Sequence, residues 1–271
     1  MFWVVFCLNT SVMNTTPIGL FDSGFGGLSI WSEIRKAMPG ESTHFIADSD
    51  YAPYGEKPKS LLLERCHKLT QFLLDQGCKL IVVACNTATT NAIAELRKAY
   101  DVPFIGIEPA IKPAALQTTT QHVGVLATKG TLSSQLFHQT RDLHAQGISL
   151  HERVGKGLVE AIEKGDLQSP KLRKLLQSHL EPLLAQNIDV LVLGCTHYPF
   201  LEPMLKELLP SQVQLIDSGE AVARQTKAIL KSHKLLNSTI KKSSNKFYSN
   251  RDTKVLKQLL DKNSSIEFLD F

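Results

Sequence analysis

The chain has 271 residues, of which 43% are hydrophobic and 21% charged, and its formal net charge at pH 7 is +4. This composition excludes an intrinsically disordered chain, and the length predicts two compact units rather than one small domain. The positive excess lies mainly between Lys231 and Lys257. Because no recognisable nucleic-acid-binding motif accompanies it, we expect a solvated surface there and no nucleic-acid partner.

The five cysteines include no CxxC pair and no His/Cys cluster with zinc-ligand spacing, which predicts neither a metal site nor a disulfide framework. Their odd number is typical of a reducing cytoplasm, where we expect the protein. The apolar run 2–8 is too short to cross a bilayer and has no basic residue before it, so we expect no signal peptide and no membrane partner. Residues 1–12, before Met13, are expected to form a disordered extension.

Short runs rich in Val and Ile alternate with helical patterns along the chain. The predicted strands are Ile18–Phe21, Phe45–Ala47, Leu80–Ala84, Phe104–Ile107, Val123–Ala127, Ile148–Val154, Val190–Gly194, Val213–Ile216, Lys246–Ser249 and Ile266–Leu269. The predicted helices include Lys59–Gln76, Thr87–Ala99, Gly157–Lys164, Pro170–Ala185 and Gly219–Lys231. Strands that alternate with helices predict an α/β fold, with mostly parallel sheets covered on both faces.

Two pairs of strand ends resemble each other within the sequence. LIVVACNT at residues 80–87 resembles LVLGCTH at residues 191–197, and GLFDS at residues 19–23 resembles GVLAT at residues 124–128. This internal similarity predicts two pseudo-symmetric α/β domains, each with one cysteine where a buried strand ends. We expect the first domain to contain residues 13–110 plus 218–271 and the second to contain residues 111–217, with the active site in the cleft between them.

Polar residues follow four of the predicted strands, at the edge where parallel sheets bind ligands. These clusters are Asp22-Ser23-Gly24, Cys85-Asn86-Thr87, Thr128 and Cys195-Thr196-His197. The glycines of DSGFGG at residues 22–27 either allow the backbone to approach a ligand closely or simply form a turn. Their spacing matches neither a dinucleotide-binding motif nor a P-loop.

Cys85 and Cys195 are each followed at once by side chains with donors and acceptors, whereas Cys66 and Cys78 have the pattern of core residues. A thiol near a helix N-terminus becomes more acidic. Two thiols on facing halves could remove the α-proton from one face of a substrate carbon and deliver a proton to the other face. This pairing predicts a racemase that needs no cofactor.

Two further groups could assist these thiols. His197 could tune Cys195 or bind a substrate carboxylate, although a histidine at a strand end is also commonly a structural residue. Asp22 could assist Cys85 by holding or relaying its proton. The residues alone leave both interpretations of His197 open.

Five motifs carry a resemblance to a known family: DSGFGGLS at residues 22–29, ADSDYAPYGEK at 47–57, ACNTAT at 84–89, GIEPAIKPA at 106–114 and GCTHYPFL at 194–201. Together they resemble the aspartate/glutamate racemase family, and its glutamate racemases in particular. The resemblance implies two α/β domains, a buried site between them, and neither pyridoxal phosphate nor a metal. It also implies glutamate as the substrate and a role in supplying D-glutamate for peptidoglycan. A homodimer is compatible with it.

The resemblance also assigns roles to individual residues. It implies that Cys85 and Cys195 are the proton donors and acceptors, assisted by Asp22, His197 and Glu160. The substrate-binding positions that it implies are Asp22, Ser23, Tyr54, Gly55, Asn86, Thr87, Thr128, Thr196 and His197. Glu160 lies in LVEAIEKG, where the preceding segment HERVGKG departs from the Cys-Pro-containing pattern common in the family.

Other functions compete with this hypothesis. A racemase of the same superfamily that acts on aspartate or another substrate would share the paired cysteines. A thiol hydrolase would need only Cys195, activated by His197, and an oxyanion hole. A non-catalytic protein that binds an acidic amino acid or another protein is disfavoured, because both cysteines are present.

Overall fold

The computed structural model describes residues 16–165, 167–237, 243–251, 254–260 and 264–270, so the expectation for residues 1–12 lies outside the described residues. The strands are β1 (Ile18–Asp22), β2 (Thr43–Ala47), β3 (Leu80–Val83), β4 (Phe104–Gly106), β5 (His122–Ala127), β6 (Ser149–Val154), β7 (Val190–Gly194), β8 (Gln214–Ile216), β9 (Asn245–Ser249) and β10 (Ile266–Phe268). The α-helices are α1 (Leu28–Ala37), α2 (Lys59–Asp75), α3 (Asn86–Ala99), α4 (Ile111–Gln117), α5 (Lys129–Leu132), α6 (Gln135–His144), α7 (Leu158–Glu163), α8 (Pro170–Leu184), α9 (Glu202–Leu208), α10 (Gly219–Ser232) and α11 (Lys254–Leu259).

The strands form two parallel sheets, and the α/β prediction is confirmed. The first sheet has the order β10-β9-β2-β1-β3-β4, and the second has the order β6-β5-β7-β8. The order β2-β1-β3-β4 therefore recurs as β6-β5-β7-β8, with β1 in the place of β5 and β3 in the place of β7. Both pairs of strand ends that resemble each other in sequence thus occupy equivalent places in the two sheets.

The first sheet is covered on both faces, because alternate residues of its central strands point to opposite sides. Leu20 and Val82 belong to the apolar cluster that includes α1 and α10, whereas Phe21 and Val83 belong to the cluster formed with α2 and α3. The strands β1 and β3 are consequently buried along their whole length.

The second sheet follows the same pattern and shares part of its core with the first. Val125 and Val192 pack with α4 and α6, whereas Leu126 and Leu191 belong to the same apolar cluster as Leu20. This shared cluster joins the two halves of the molecule. No helix in the described part of the chain is long and apolar enough to cross a membrane.

Candidate active site

Cys85 follows β3 and Cys195 follows β7, so the two thiols come from equivalent strand ends. Both residues are 5% exposed, and they line the same enclosed cavity of about 10 Å³. The lining residues are Ser23, Pro53, Tyr54, Gly55, Cys85, Asn86, Thr87, Thr128, Val159, Cys195, Thr196 and His197. The structure therefore brings together the substrate-binding positions expected from sequence, with Asp22 immediately behind the lining.

Cys85 lies at the N-cap position of α3. Its sulfur accepts a hydrogen bond from the backbone N–H of Ala88 at 3.5 Å, and its thiol donates to the Ser23 hydroxyl at 3.6 Å. Burial raises the pKa of the Cys85 thiol well above its usual range, and the nearby Asp22 raises this pKa further. The helix N-terminus opposes this shift without reversing it, so Cys85 is held as a neutral thiol.

Asp22 ends β1 and is fully buried. Its Oδ2 accepts the backbone N–H of Gly27 at 2.8 Å, and the Thr196 hydroxyl approaches Oδ1 at 3.4 Å. Burial raises the pKa of Asp22 to about 6, although the charge of His197 and the Gly27 amide act in the opposite direction. Asp22 thus connects the first half of the molecule to the residue that follows Cys195.

Cys195 is paired with a histidine instead of a helix N-terminus. The Nδ1 of His197 lies 3.7 Å from the Cys195 sulfur, and its Nε2 lies 2.6 Å from Oε1 of Glu163. Burial lowers the pKa of His197, but the contacts with Cys195 and Glu163 outweigh it and raise this pKa well above its usual range. His197 therefore carries a positive charge between a sulfur and a carboxylate at neutral pH.

The carboxylate that contacts His197 belongs to Glu163, and the structure does not bring Glu160 into this group. Glu160 is half-buried and borders a separate cavity of about 30 Å³, whereas the Glu163 side chain is 8% exposed. The two acids lie three residues apart in α7, on neighbouring positions of one helix face. Sequence reasoning missed Glu163, although LVEAIEKG contains it one helical turn after Glu160.

The glycines of DSGFGG allow close approach, but to side chains of the second half. A Cβ atom at Gly24 would lie 2.1 Å from Oε1 of Glu163, and one at Gly26 would lie 2.3 Å from Nδ1 of His197. The backbone N–H of Phe25 donates to the same Glu163 oxygen at 2.8 Å. The segment therefore packs against the Glu163 carboxylate and the His197 imidazole, and the sequence did not predict this role.

The loop that carries Tyr54 is fixed by a buried ionic network. Tyr54 donates its hydroxyl hydrogen bond to Asp48, which also pairs with Arg65 at 2.6 Å and accepts from the Asn250 side chain at 2.6 Å. Because the Tyr54 hydroxyl is used in this network, Tyr54 and Gly55 present mainly backbone to the cavity. Asp48, Arg65 and Asn250 were not predicted, and Asn250 comes from the chain after β9, where the sequence carries no motif.

Two polar features of the cavity wall point to a polar ligand. The hydroxyls of Thr87 and Thr128 lie 2.8 Å apart and join the two halves. The Asn86 side chain is 3% exposed, and neither its oxygen nor its nitrogen has a hydrogen-bond partner among the described residues. Since buried amides are nearly always hydrogen-bonded, the free Asn86 amide is suited to bind a polar group inside the cavity.

Known proteins share both the sequence and the fold. Residues 32–226 match the model of the family described as Asp/Glu/Hydantoin racemase. The chain is 49% identical over 245 residues to the glutamate racemase of Ectopseudomonas mendocina (strain ymp), an alignment that covers 90% of this chain and 93% of that protein.

Two solved structures extend this similarity to three dimensions. A glutamate racemase isoform from Bacillus anthracis superposes with a TM-score of 0.86 at 29% identity, covering 95% of this chain and 98% of that one. Glutamate racemase from Escherichia coli, in complex with L-glutamate and the activator UDP-MurNAc-Ala, superposes with a TM-score of 0.82 at 34% identity, covering 94% and 98%. The resemblance found in the sequence motifs is confirmed, and the chain belongs to the Asp/Glu/Hydantoin racemase family.

Proposed function

We propose that this racemase interconverts L- and D-glutamate by moving a proton between the substrate α-carbon and two thiols, Cys85 and Cys195. The observation that carries the proposal is the placement of both thiols, from equivalent strand ends, around one enclosed cavity. The choice of glutamate is supported by the glutamate racemases to which the chain is similar over nine-tenths of its length.

The reaction needs one thiolate and one thiol at the start of each turnover. The thiolate takes the α-proton from one face of the substrate, which leaves an electron pair on the α-carbon and a neutral thiol on the enzyme. The opposite thiol then gives its proton to the other face and becomes a thiolate. The product has inverted configuration, and the two cysteines have exchanged protonation states.

The neighbours of each cysteine support these roles. His197 places a positive charge next to Cys195, which stabilises a thiolate there, while Glu163 keeps the imidazole oriented and charged. Asp22 and burial favour the neutral thiol at Cys85. We therefore infer that the imidazole of His197 assists proton transfer at Cys195, and that Asp22, His197 and Glu163 tune the pair.

Substrate binding is assigned to the polar wall of the cavity. Ser23, Asn86, Thr87 and Thr196 offer hydroxyl and amide donors suited to carboxylates, and Thr128 and the Tyr54–Gly55 backbone complete the wall. We further propose that the two sheets with their helices form the predicted domains, residues 13–110 plus 218–271 and residues 111–217. A cytoplasmic enzyme that supplies D-glutamate for peptidoglycan is the role that fits this reaction.

Exchange of the α-proton in deuterated water tests the proposal. The wild type should interconvert L- and D-glutamate with incorporation of solvent deuterium, and Cys85→Ser and Cys195→Ser should each lower racemisation by about 1,000-fold. Cys78→Ala is the matched control, because Cys78 is also a buried free cysteine but lies outside the cavity. If glutamate is unchanged and aspartate is racemised instead, the substrate assignment is wrong while the two-thiol mechanism stands.

One observation also fits the competing hydrolase function. Cys195 contacts His197, which in turn contacts Glu163. Thiol hydrolases arrange their nucleophile, base and orienting acid in this way. Such an enzyme would form a covalent acyl intermediate on Cys195 and would work without Cys85. Full activity of Cys85→Ser on an ester or amide substrate would support the hydrolase, and loss of racemisation in this variant without any such hydrolysis supports the racemase.

A further inference from the structure

A second cavity, of about 520 Å³, lies directly outside the closed catalytic cavity. Tyr54 and Gly55 line both of them, so the loop that carries these residues forms the shared wall. Three lysines line the outer cavity: Lys57 is half-buried, and Lys59 and Lys129 are exposed. They come from both halves of the molecule, since Lys129 begins α5 of the second half.

The outer cavity has an excess of positive charge. Its lining contains one acidic residue, Glu56, against the three lysines. The ion pairs formed within the described part of the chain include none of Lys57, Lys59 and Lys129. A concave surface of one charge sign raises the local concentration of ligands of the opposite sign, so this cavity is suited to an anion.

The wall between the two cavities is a contact between the 3-10 turn Tyr54–Glu56 and the start of α5. A Cβ atom at Gly55 would lie 2.8 Å from Cβ of Thr128, and one at Gly130 would lie 3.1 Å from the Gly55 Cα. Gly55 belongs to the first half, and Thr128 and Gly130 belong to the second, so a relative displacement of the halves would part this seam. The catalytic cavity has room for about one water molecule, which is far smaller than glutamate, so the cavity must widen to admit such a substrate, and parting of the seam would widen it toward the outer cavity.

We propose that the outer cavity is a vestibule that captures amino acids of net negative charge, the amino-dicarboxylates, before they pass the seam into the catalytic cavity. This inference rests on the proposed function and specifies how its substrate is selected. Glutamate carries one more negative charge than glutamine, which has nearly the same shape. The three lysines therefore favour the dicarboxylate over its neutral amide before any contact with the two thiols.

The test compares two triple variants that lose the same charge. One is Lys57→Gln/Lys59→Gln/Lys129→Gln, and the control is Lys98→Gln/Lys227→Gln/Lys231→Gln, which changes exposed lysines in the C-terminal halves of α3 and α10. Racemisation of L-glutamate is measured in both, and in the wild type, as a function of ionic strength. At low salt we expect kcat/KM of the vestibule variant to be about 10-fold below that of the wild type, with the loss in KM rather than kcat.

Salt provides the second readout. Since exposed charges are screened at high ionic strength, the difference between vestibule variant and wild type should disappear at high salt, and the control should follow the wild type throughout. If the vestibule variant follows the control at every salt concentration, the vestibule is refuted while the racemase function stands. A loss in kcat that persists at high salt also refutes it. A wild type that does not racemise glutamate refutes the proposed function itself.

Discussion

Cys85 and Cys195 occupy equivalent positions in two sheets of the same topology, yet their surroundings differ. Cys85 caps a 14-residue helix and lies beside a hydroxyl, a backbone amide and the Asp22 carboxylate, whereas Cys195 is followed by a short 3-10 helix and contacts an imidazole backed by a carboxylate. A symmetric backbone therefore carries an asymmetric pair of acids and bases. In the proposed mechanism, in which each cysteine serves as base in one direction of the reaction, the two sulfurs therefore work in different electrostatic environments.

The shared residue Asp22 links the two environments. Its charge opposes a thiolate at Cys85, while the positive charge of His197 stabilises the Asp22 carboxylate. A change in the protonation of Asp22 therefore alters the electrostatic environment of Cys85 directly, and that of Cys195 through His197. Coupling of this kind suits a reaction in which the two thiols must always be in opposite protonation states.

The largest expected effect comes from removing one sulfur at a time. Cys85→Ser and Cys195→Ser should each lower racemisation by about 1,000-fold, because a serine hydroxyl is a far weaker acid than a thiol and is not ionised to a base near neutral pH. Each variant keeps one thiol, so it should still exchange the α-proton of a single enantiomer with solvent deuterium, and the two variants should act on opposite enantiomers. Proton NMR of L- and D-glutamate in deuterated water measures this, and exchange of the same enantiomer by both variants would contradict the assignment of opposite faces.

The next test concerns the resting thiolate itself. Since an imidazole contacts the Cys195 sulfur and no imidazole contacts Cys85 among the described residues, we expect any ultraviolet thiolate absorbance to be kept in Cys85→Ser and lost in Cys195→Ser. Cys78 contributes no signal, because burial raises its pKa to about 12, and burial also raises the pKa of Cys66. The double variant Cys85→Ser/Cys195→Ser supplies the baseline. A thiolate signal that is lost in Cys85→Ser and kept in Cys195→Ser would assign the thiolate to Cys85 and contradict the expectation.

A smaller effect is expected from the partners of the two sulfurs. Glu163→Gln can still accept the N–H of Phe25 but no longer stabilises the charged imidazole, so kcat should fall on the order of 100-fold, with a shift of the pH profile. Ser23→Ala removes a long hydrogen bond of 3.6 Å on the Cys85 side and should reduce kcat only about 3-fold. Glu160→Gln is the matched control in the same helix. Equal losses of kcat in Glu163→Gln and Glu160→Gln would contradict the assignment of Glu163 as the partner that supports His197.

Local sequence patterns were sufficient for the sheets and for most of the cavity wall. Every predicted strand occurs within about two residues of its expected bounds, because buried parallel strands have a strong apolar signal. The strand β2 begins at Thr43 rather than Phe45, since the backbone of Thr43 pairs with Ile18 of β1 and Asn245 of β9. Such extensions depend on partners that are distant in sequence.

The residues that were missed all act through long-range contacts. Glu163 meets His197 from 34 positions away, and Asn250 reaches Asp48 across 202 positions. Neither contact leaves a local pattern, since any acidic or amide side chain on a surface helix or loop would look the same. The family motifs identified the groups at the strand ends, and only the fold shows which side chains support them.

The smallest effect concerns stability, and it tests how much the ionised, buried Asp22 carboxylate lowers the free energy of unfolding. Because burial raises the pKa of Asp22 from 3.8 to about 6, the folded state binds its proton more tightly than the unfolded state does. The stabilisation from protonated Asp22 is complete below about pH 4 and is lost as pH rises through about 6.

Asp22→Asn should therefore be more stable than the wild type at pH 8 by about 3 kcal/mol, and this gain should shrink to about half at pH 5, where the wild-type carboxyl is largely protonated. The amide can still accept the Gly27 N–H, so the local fold should be kept while racemisation falls. Urea unfolding at both pH values measures the difference, with the exposed Asp101→Asn as control. A gain that is equal at pH 5 and pH 8 would show that ionisation of Asp22 does not destabilise the folded state between these pH values. Cys85 would then lack the negative neighbour that distinguishes it from Cys195.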